Sequence, residues 1–264
     1  MEDLSPQLSR APGSSRKRTT LADQVASLIE ERILQGTLAP GEKLPIEYDL
    51  ASELNVSRTV IRDAVRTLAA RRLVDVRQGL GTVVTDPDPE AYSHAALMFL
   101  VRSDCTVHAL WEARKTLDFE MTAAAIRSGT ADWSRAEAGL TALEKTVATR
   151  DWDGALLAHA RFHLALMTAM GNPVIEILLQ PMLHVIIATP SAPESPVRKQ
   201  GWNFDLARHP PLLDAAKAGD VEALRAAVEK HYAPAKRIDR RASNSLLRES
   251  PAAMEVLRQA QSGR

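Results

Sequence analysis

Two histidines, His159 and His163, stand four residues apart in the stretch "HARFH", within a segment that is otherwise almost wholly apolar. On an α-helix that spacing brings both imidazoles to one face, within reach of a single ion. Leu156, His159, His163, Leu166 and Met170 form one stripe, so both rings are predicted to point inward. Two further histidines belong to later predicted helices: His209, before "PPLLDAAKAGD", and His231, in "AAVEKHYAP". The plainer reading is a hydrogen-bonded histidine core. The chemical reading is a metal centre of His159, His163, His209 and His231, because neutral imidazole is the commonest metal ligand. His94, His108 and His184 have no such arrangement and read as structural or surface groups.

A second polar side chain sits in an apolar stripe. Leu110, Arg114, Leu117, Met121 and Ala124 recur at helical spacing, which sends Arg114 to the core side. A buried guanidinium must be paired, since an isolated buried charge is very costly. Two partners remain open: Asp118, one turn on, or an anionic ligand whose carboxylate matches the arginine fork.

The elements that must carry these residues are helical. Beyond residue 92 the periodicity predicts helices at 93–102, 106–128, 131–149, 152–170, 173–188, 203–218 and 220–238, with no strand pattern. Asn172 and Pro173 read as cap and first residue of a helix, and Gly219 with Asp220 ends one helix and starts the next. An all-helical bundle of six or seven helices follows, over residues 93–238, with 239–264 as a loosely attached tail.

The N-terminal third has a different pattern. Residues 1–18, rich in Ser, Pro, Gly and Arg, read as a disordered arm. A helix is expected over 19–35, and two shorter ones, 46–54 and 58–71, are separated only by "NVS". Asn55 can adopt the left-handed conformation there and Ser57 can cap the following helix, which makes a helix-turn-helix. "LVDVRQGLGTVV" reads as a two-stranded hairpin about Gly79 and Gly81. Between Arg58 and Arg77 six arginines stand against two aspartates, although the whole chain carries no net charge. The fold class is therefore mainly α: a winged helix-turn-helix over 19–86, a linker at 87–92 and the helical bundle.

The chain has 264 residues, a size at which two domains are the default. The lone Cys105 excludes an internal disulfide and fits a reducing cytoplasm. No apolar run approaches the roughly 18 residues of a membrane span, and the first twenty residues lack the apolar core of a signal peptide. A cytoplasmic protein with no membrane partner is expected.

"PGEKLP", "LNVSRTVIRDAVRTL" and "GLGT" resemble, in order and spacing, the winged helix-turn-helix of GntR-family bacterial transcription regulators. The resemblance implies a double-stranded DNA operator. Ser57, Arg58, Thr59 and Arg62 would face the major groove, and Gln78 and Gly79 at the wing tip would face the minor groove. Arginine independently suits this role, since its fork pairs with guanine O6 and N7 for about 1–3 kcal/mol of discrimination. Two positions depart from the family pattern: Ile46 replaces a capping serine and Tyr48 an arginine.

"LWEARKTLDFEMTAAAI", "FHLALMTAMGNPVI" and "HPPLLDAAKAGDVEALRAAVEKH" resemble the effector-binding helical domain, of the FCD type, in the FadR subfamily of the same family. The resemblance implies a divalent metal held by an aspartate and three histidines, a small organic acid on or near the metal, and a homodimer. His163, His209 and His231 match the three histidines, and Arg114 matches the arginine of the family's ExR element. His159 stands where the family has aspartate. Either the site is a nitrogen-rich variant or His159 does not ligate and the site is altered or lost; in the first case the all-nitrogen set favours Zn, with Ni or Cu as the other candidates, and the full 2+ charge favours an anionic effector.

The expected function is a repressor released from a palindromic operator by a small carboxylate. Two other readings stay open: a metal-free regulator sensing an apolar or acyl ligand, and a metalloenzyme fused to a DNA-binding domain. Against the enzyme, Ala160 occupies the place of the general-base glutamate in a zinc-protease HExxH motif.

Overall fold

The computed structural model describes residues 19–188, 206–233 and 244–250, together with Ala253, Met254, Leu257 and Arg258. The chain divides into two compact units, residues 1–88 and 89–264. The 1–18 arm read from the sequence lies outside the described residues.

The first unit is built on three helices and a hairpin. Helix α1 (Leu21–Leu34) opens with a capping box: the Thr20 hydroxyl accepts from the Asp23 amide, and the Asp23 carboxylate accepts from the Thr20 amide. Helices α2 (Glu47–Glu53) and α3 (Arg58–Ala70) are joined through Asn55, whose φ of 50° reverses the chain, and Ser57, whose Oγ accepts from the Val60 amide at 3.3 Å. Ile46 stands at the α2 cap position and makes no side-chain cap bond, as its type dictates. Ile61, Ala64, Val65 and Leu68 recur along one side of α3 and pack with Val25, Ile29, Leu50 and Leu54. Strands β1 (Val74–Arg77) and β2 (Gly81–Val84) pair antiparallel, Val74 opposite Val84 and Arg77 opposite Gly81. Gly79 turns this hairpin at φ +77°, a conformation costly for residues with a Cβ. The result is a helix-turn-helix with a two-stranded wing.

The described part of the second unit includes α4 (Pro89–Arg102), α5 (Val107–Ser128), α6 (Ser134–Ala148), α7 (Trp152–Thr168), α8 (Pro173–Leu179), α9 (Met182–Ala188), α10 (Pro210–Ala218) and α11 (Val221–Tyr232), with a short 3-10 turn at Leu247–Glu249. Their starts are written in the sequence. Thr106, Asp151, Asn172 and Asp220 each accept a backbone N–H of the first turn that follows. Phe119 and Ala123 of α5, Phe162, Ala165 and Leu166 of α7, Leu212 and Ala216 of α10, and Leu224, Val228 and Tyr232 of α11 share one core. Gly139 lets α6 lie unusually close to α7, because a Cβ there would come within 3.0 Å of the Phe162 backbone.

Several boundaries differ from the sequence reading. The helix expected over 173–188 breaks into α8 and α9 around Gln180 and Pro181, since proline cannot donate the intrahelical bond and crowds the preceding turn. That break raises the helix count above six or seven. The 87–92 linker is helical from Pro89, where a proline suits the first turn, Glu90 suits the positive helix end, and Ser93 Oγ bonds back to the Pro89 carbonyl at 2.7 Å. The helix expected from 203 starts at Pro210, with 203–205 outside the described residues; the last one ends at Tyr232, with 234–238 likewise outside. The tail is not loose where it is described: Leu247 is fully buried with Leu97, Val101 and Leu110, and backbone bonds tie Val107 to Ser245 and Leu247 to Cys105.

Candidate functional site

Four helices converge on the histidines. The i, i+4 spacing of α7 carries His159 and His163 inward together, His209 sits at the cap position ahead of Pro210 and Pro211 of α10, and His231 lies in the last turn of α11. All four are buried, and each offers a ligand atom within 4.8 Å of the others. The rings meet mostly edge to face, with centroids 4.7 Å apart for His159 and His163, 4.8 Å for His163 and His231, and 4.9 Å for His209 and His231. Phe162, wholly buried, lies against both His163 and His209 and closes one side.

The donor set suits a divalent transition metal. Burial, the neighbouring histidines and Arg114 push His159 and His231 well below the ordinary imidazole pKa, so both are neutral and keep a lone pair. His163 Nε2 and His231 Nδ1 are buried polar atoms without a hydrogen-bond partner in the protein. Such atoms are expensive to leave unsatisfied, and a metal would satisfy them.

Arg114 of α5 is only 1% exposed and reaches the cluster: its Nη2 lies 3.3 Å from His159 Nε2. A guanidinium can only donate, so this contact requires a lone pair on His159 Nε2. The Trp111 and Tyr232 rings flank the guanidinium at 5.4 Å and 5.5 Å, and its Nε has no acceptor. The sequence left Asp118 open as its partner. Instead Asp118 Oδ2 lies 2.9 Å from His163 Nδ1 and accepts the Tyr232 hydroxyl. No carboxylate forms an ion pair with Arg114 among the described residues. Burial raises the cost of ionising Asp118, but His163, Arg114 and Tyr232 outweigh it and hold the carboxyl below its usual pKa. Tyr232 moves the other way: burial and the Asp118 charge push its hydroxyl well up, so it stays a donor.

Tyr232 and Trp111 were not singled out in the sequence. The signal for Tyr232 was slight, namely its place beside His231, because a contact 114 residues away from Asp118 leaves no periodic trace.

In the first unit Ser57, Arg58, Thr59 and Arg62 lie at the exposed start of α3, and Gln78 and Gly79 at the exposed hairpin tip. Glu47, in the first turn of α2, accepts from Arg62 Nε at 2.8 Å and lies 3.8 Å from Arg58 Nη2. The sequence reading did not anticipate this residue between the two arginines. Tyr48 is exposed.

Comparison with known proteins agrees on both parts of the chain. The family described as "Bacterial regulatory proteins, gntR family" matches residues 21–84, and the FCD domain matches residues 109–234. The "Galactonate operon transcriptional repressor" of Escherichia coli K12 is 26% identical over 201 residues, covering 74% of this chain and 83% of its own length. The "HTH-type transcriptional regulator LutR" of Bacillus subtilis 168 is 31% identical over 160 residues, which cover 60% of this chain and 71% of that protein. In fold, the solved structure titled "Streptococcus agalactiae GntR" superposes over 83% of this chain and all of its own, with a TM-score of 0.51 at 22% identity. No helix among the described residues is long and apolar enough to cross a membrane. The wing, the helix-turn-helix and the helical unit thus place the chain in the gntR family of bacterial regulatory proteins, as a DNA-binding transcription regulator with an FCD domain.

Proposed function

We propose that this regulator is a cytoplasmic repressor, released from a palindromic operator by a small carboxylate sensed at a metal-containing histidine cluster. One observation carries the reading: four buried imidazoles have their ligand atoms within 4.8 Å of one another, beside a buried guanidinium that no carboxylate pairs with among the described residues. His159, His163, His209 and His231 would hold the ion, with His159 giving up its contact to Arg114 so that its lone pair faces the metal and the guanidinium is released, and an all-nitrogen neutral set suits Zn, then Ni or Cu, over Mg or Ca. The bound ion would supply an undiminished 2+ charge facing an anion. Arg114 would take the carboxylate through its fork, with Trp111 and Tyr232 limiting how far the guanidinium can swing. Burial of these groups excludes the water that would weaken each contact. The name of the E. coli relative supports both the sign and the ligand class, since galactonate is a hydroxy acid and that protein is a repressor.

On the DNA side, Ser57, Arg58, Thr59 and Arg62 would read the major groove, with Gln78 and Gly79 in the minor groove. A homodimer held by the helical units would set the half-site spacing. A hundredfold loss of operator affinity needs about 2.7 kcal/mol of coupling, within the usual range for allostery. The same reading makes the chain a sensor and not a catalyst. Ala160, in the place of a general base, is buried in apolar surroundings, and Asp118 is engaged with His163 and Tyr232.

Two measurements test this. Elemental analysis of untagged, chelator-free protein should find about one transition metal per chain, absent from His163→Ala and His209→Ala; metal-free wild type would remove the centre. A thermal-shift screen of small carboxylates should yield a hit that Arg114→Ala abolishes and that releases operator DNA. A hit insensitive to Arg114 would contradict the salt link.

A further inference from the structure

One carboxylate is buried against the histidine cluster. Among the described residues that acid is Asp118, the buried one, and it lies behind an imidazole instead of beside the other ligand atoms. Its Oδ2 is 2.9 Å from His163 Nδ1 and also accepts the hydroxyl of Tyr232. The three residues come from three helices, α5, α7 and α11, so packing of the core fixes their meeting. A carboxylate only accepts, and a neutral imidazole has a single N–H. When His163 is neutral, its proton therefore belongs on Nδ1, and Nε2 is left with the lone pair. Both ring nitrogens are buried and neither makes an aligned hydrogen bond, but Nδ1 has a carboxylate oxygen at 2.9 Å and Nε2 has no partner among the described residues.

We propose that Asp118, steadied by the Tyr232 hydroxyl, is a positioning residue that locks His163 as its Nδ1–H tautomer and presents Nε2 to the histidine cluster. The consequence for metal affinity rests on the metal reading above; the tautomer does not. Carboxylates placed behind ligating histidines raise ligand basicity and fix ring orientation, and losing one costs about 10- to 100-fold in affinity. Tyr232 has a second use in the same arrangement. By donating to Asp118 it limits how far the carboxylate can turn toward Arg114, which keeps the guanidinium available to an external anion.

The test combines imidazole nitrogen NMR with zinc titration on the full chain. In chelator-treated wild type, above the ordinary histidine pKa range, His163 should show the Nδ1–H pattern, assigned by its loss in His163→Gln. Asp118→Leu, similar in volume but without an acceptor, should lose that pattern and bind zinc about 10- to 100-fold more weakly against a competing chelator. Tyr232→Phe should keep the tautomer and lose less affinity. Wild-type His163 in the Nε2–H form overturns the proposal, as does an Asp118→Leu protein that retains both the Nδ1–H pattern and full zinc affinity. Wild type that binds no zinc sinks the metal reading, while the NMR arm still decides where the proton lies. If Asp118→Leu fails to fold, the wild-type and Tyr232→Phe spectra decide the tautomer.

Discussion

The two units place the same chemical type, a cation with a neighbouring acid, in opposite surroundings. In the first, Arg58 and Arg62 are more than half exposed and share Glu47 at the surface. In the second, Arg114 is 1% exposed and the nearby acid is turned toward a histidine. An exposed pair of this kind is worth at most about 1 kcal/mol, so a DNA phosphate or a guanine can compete for the arginines at little cost. A buried guanidinium has already lost its water, and a small anion that reaches it meets a preorganised partner. Under the proposed function, one unit would exchange partners and the other would wait for one.

The contrast can be broken first at the DNA. Arg58→Ala and Arg62→Ala should each weaken binding to a selected operator by about 1–3 kcal/mol, roughly 5- to 150-fold, and leave the thermal midpoint nearly unchanged. Unchanged operator affinity in gel-shift titrations would show that these arginines are ordinary surface charges.

Acid should act on the other unit. His159 and His231 are held neutral in the fold by burial and neighbouring cations, with pKa values well below their ordinary ~6.5. Above pH ~6.5 neither state takes up the proton; below it the unfolded chain does and the fold does not. Stability of metal-free protein should therefore fall as pH drops below about 6.5, by on the order of 1 kcal/mol per group per pH unit. Chemical denaturation across that range checks the sign, and a flat profile would mean the cluster is not buried neutral.

Packing beneath the cluster comes next. Gly139→Ala would put a Cβ at 3.0 Å from the Phe162 backbone and push α6 from α7, destabilising the helical unit by about 1–3 kcal/mol without touching a histidine. The smallest effect belongs to Glu47. Glu47→Ala should change stability by less than about 1 kcal/mol while reducing discrimination between operator and random DNA, because Arg62 loses the acceptor that aims it. Equal discrimination in wild type and variant would leave Glu47 as a surface residue only.

Much of this was legible in the chain because it is written in local spacing. The inward turn of His159 and His163, the burial of Arg114, the cap at Ser57 and the left-handed Asn55 all follow from neighbours within a few residues. What spacing could not supply was the choice between partners on different helices. Asp118 is one turn from Arg114, and helical geometry offered that pair, yet the fold brings His163 and Tyr232 to the carboxylate. Glu47 was hidden for the same reason, since its contact to Arg62 crosses from one helix to the next. The break at Pro181 was readable in principle; the apolar run on both sides of it masked the proline.

The docking of Leu247 has a topological consequence. Arg248 Nη1 bonds Asp104 Oδ1 at 2.9 Å across 144 residues of chain, and the neighbouring backbone bonds join the same two stretches. Residues 105–107 and 245–247 are thus fastened to each other just ahead of the helix that bears Arg114 and Asp118, so a cut or fusion near Ser245 should loosen the start of that helix.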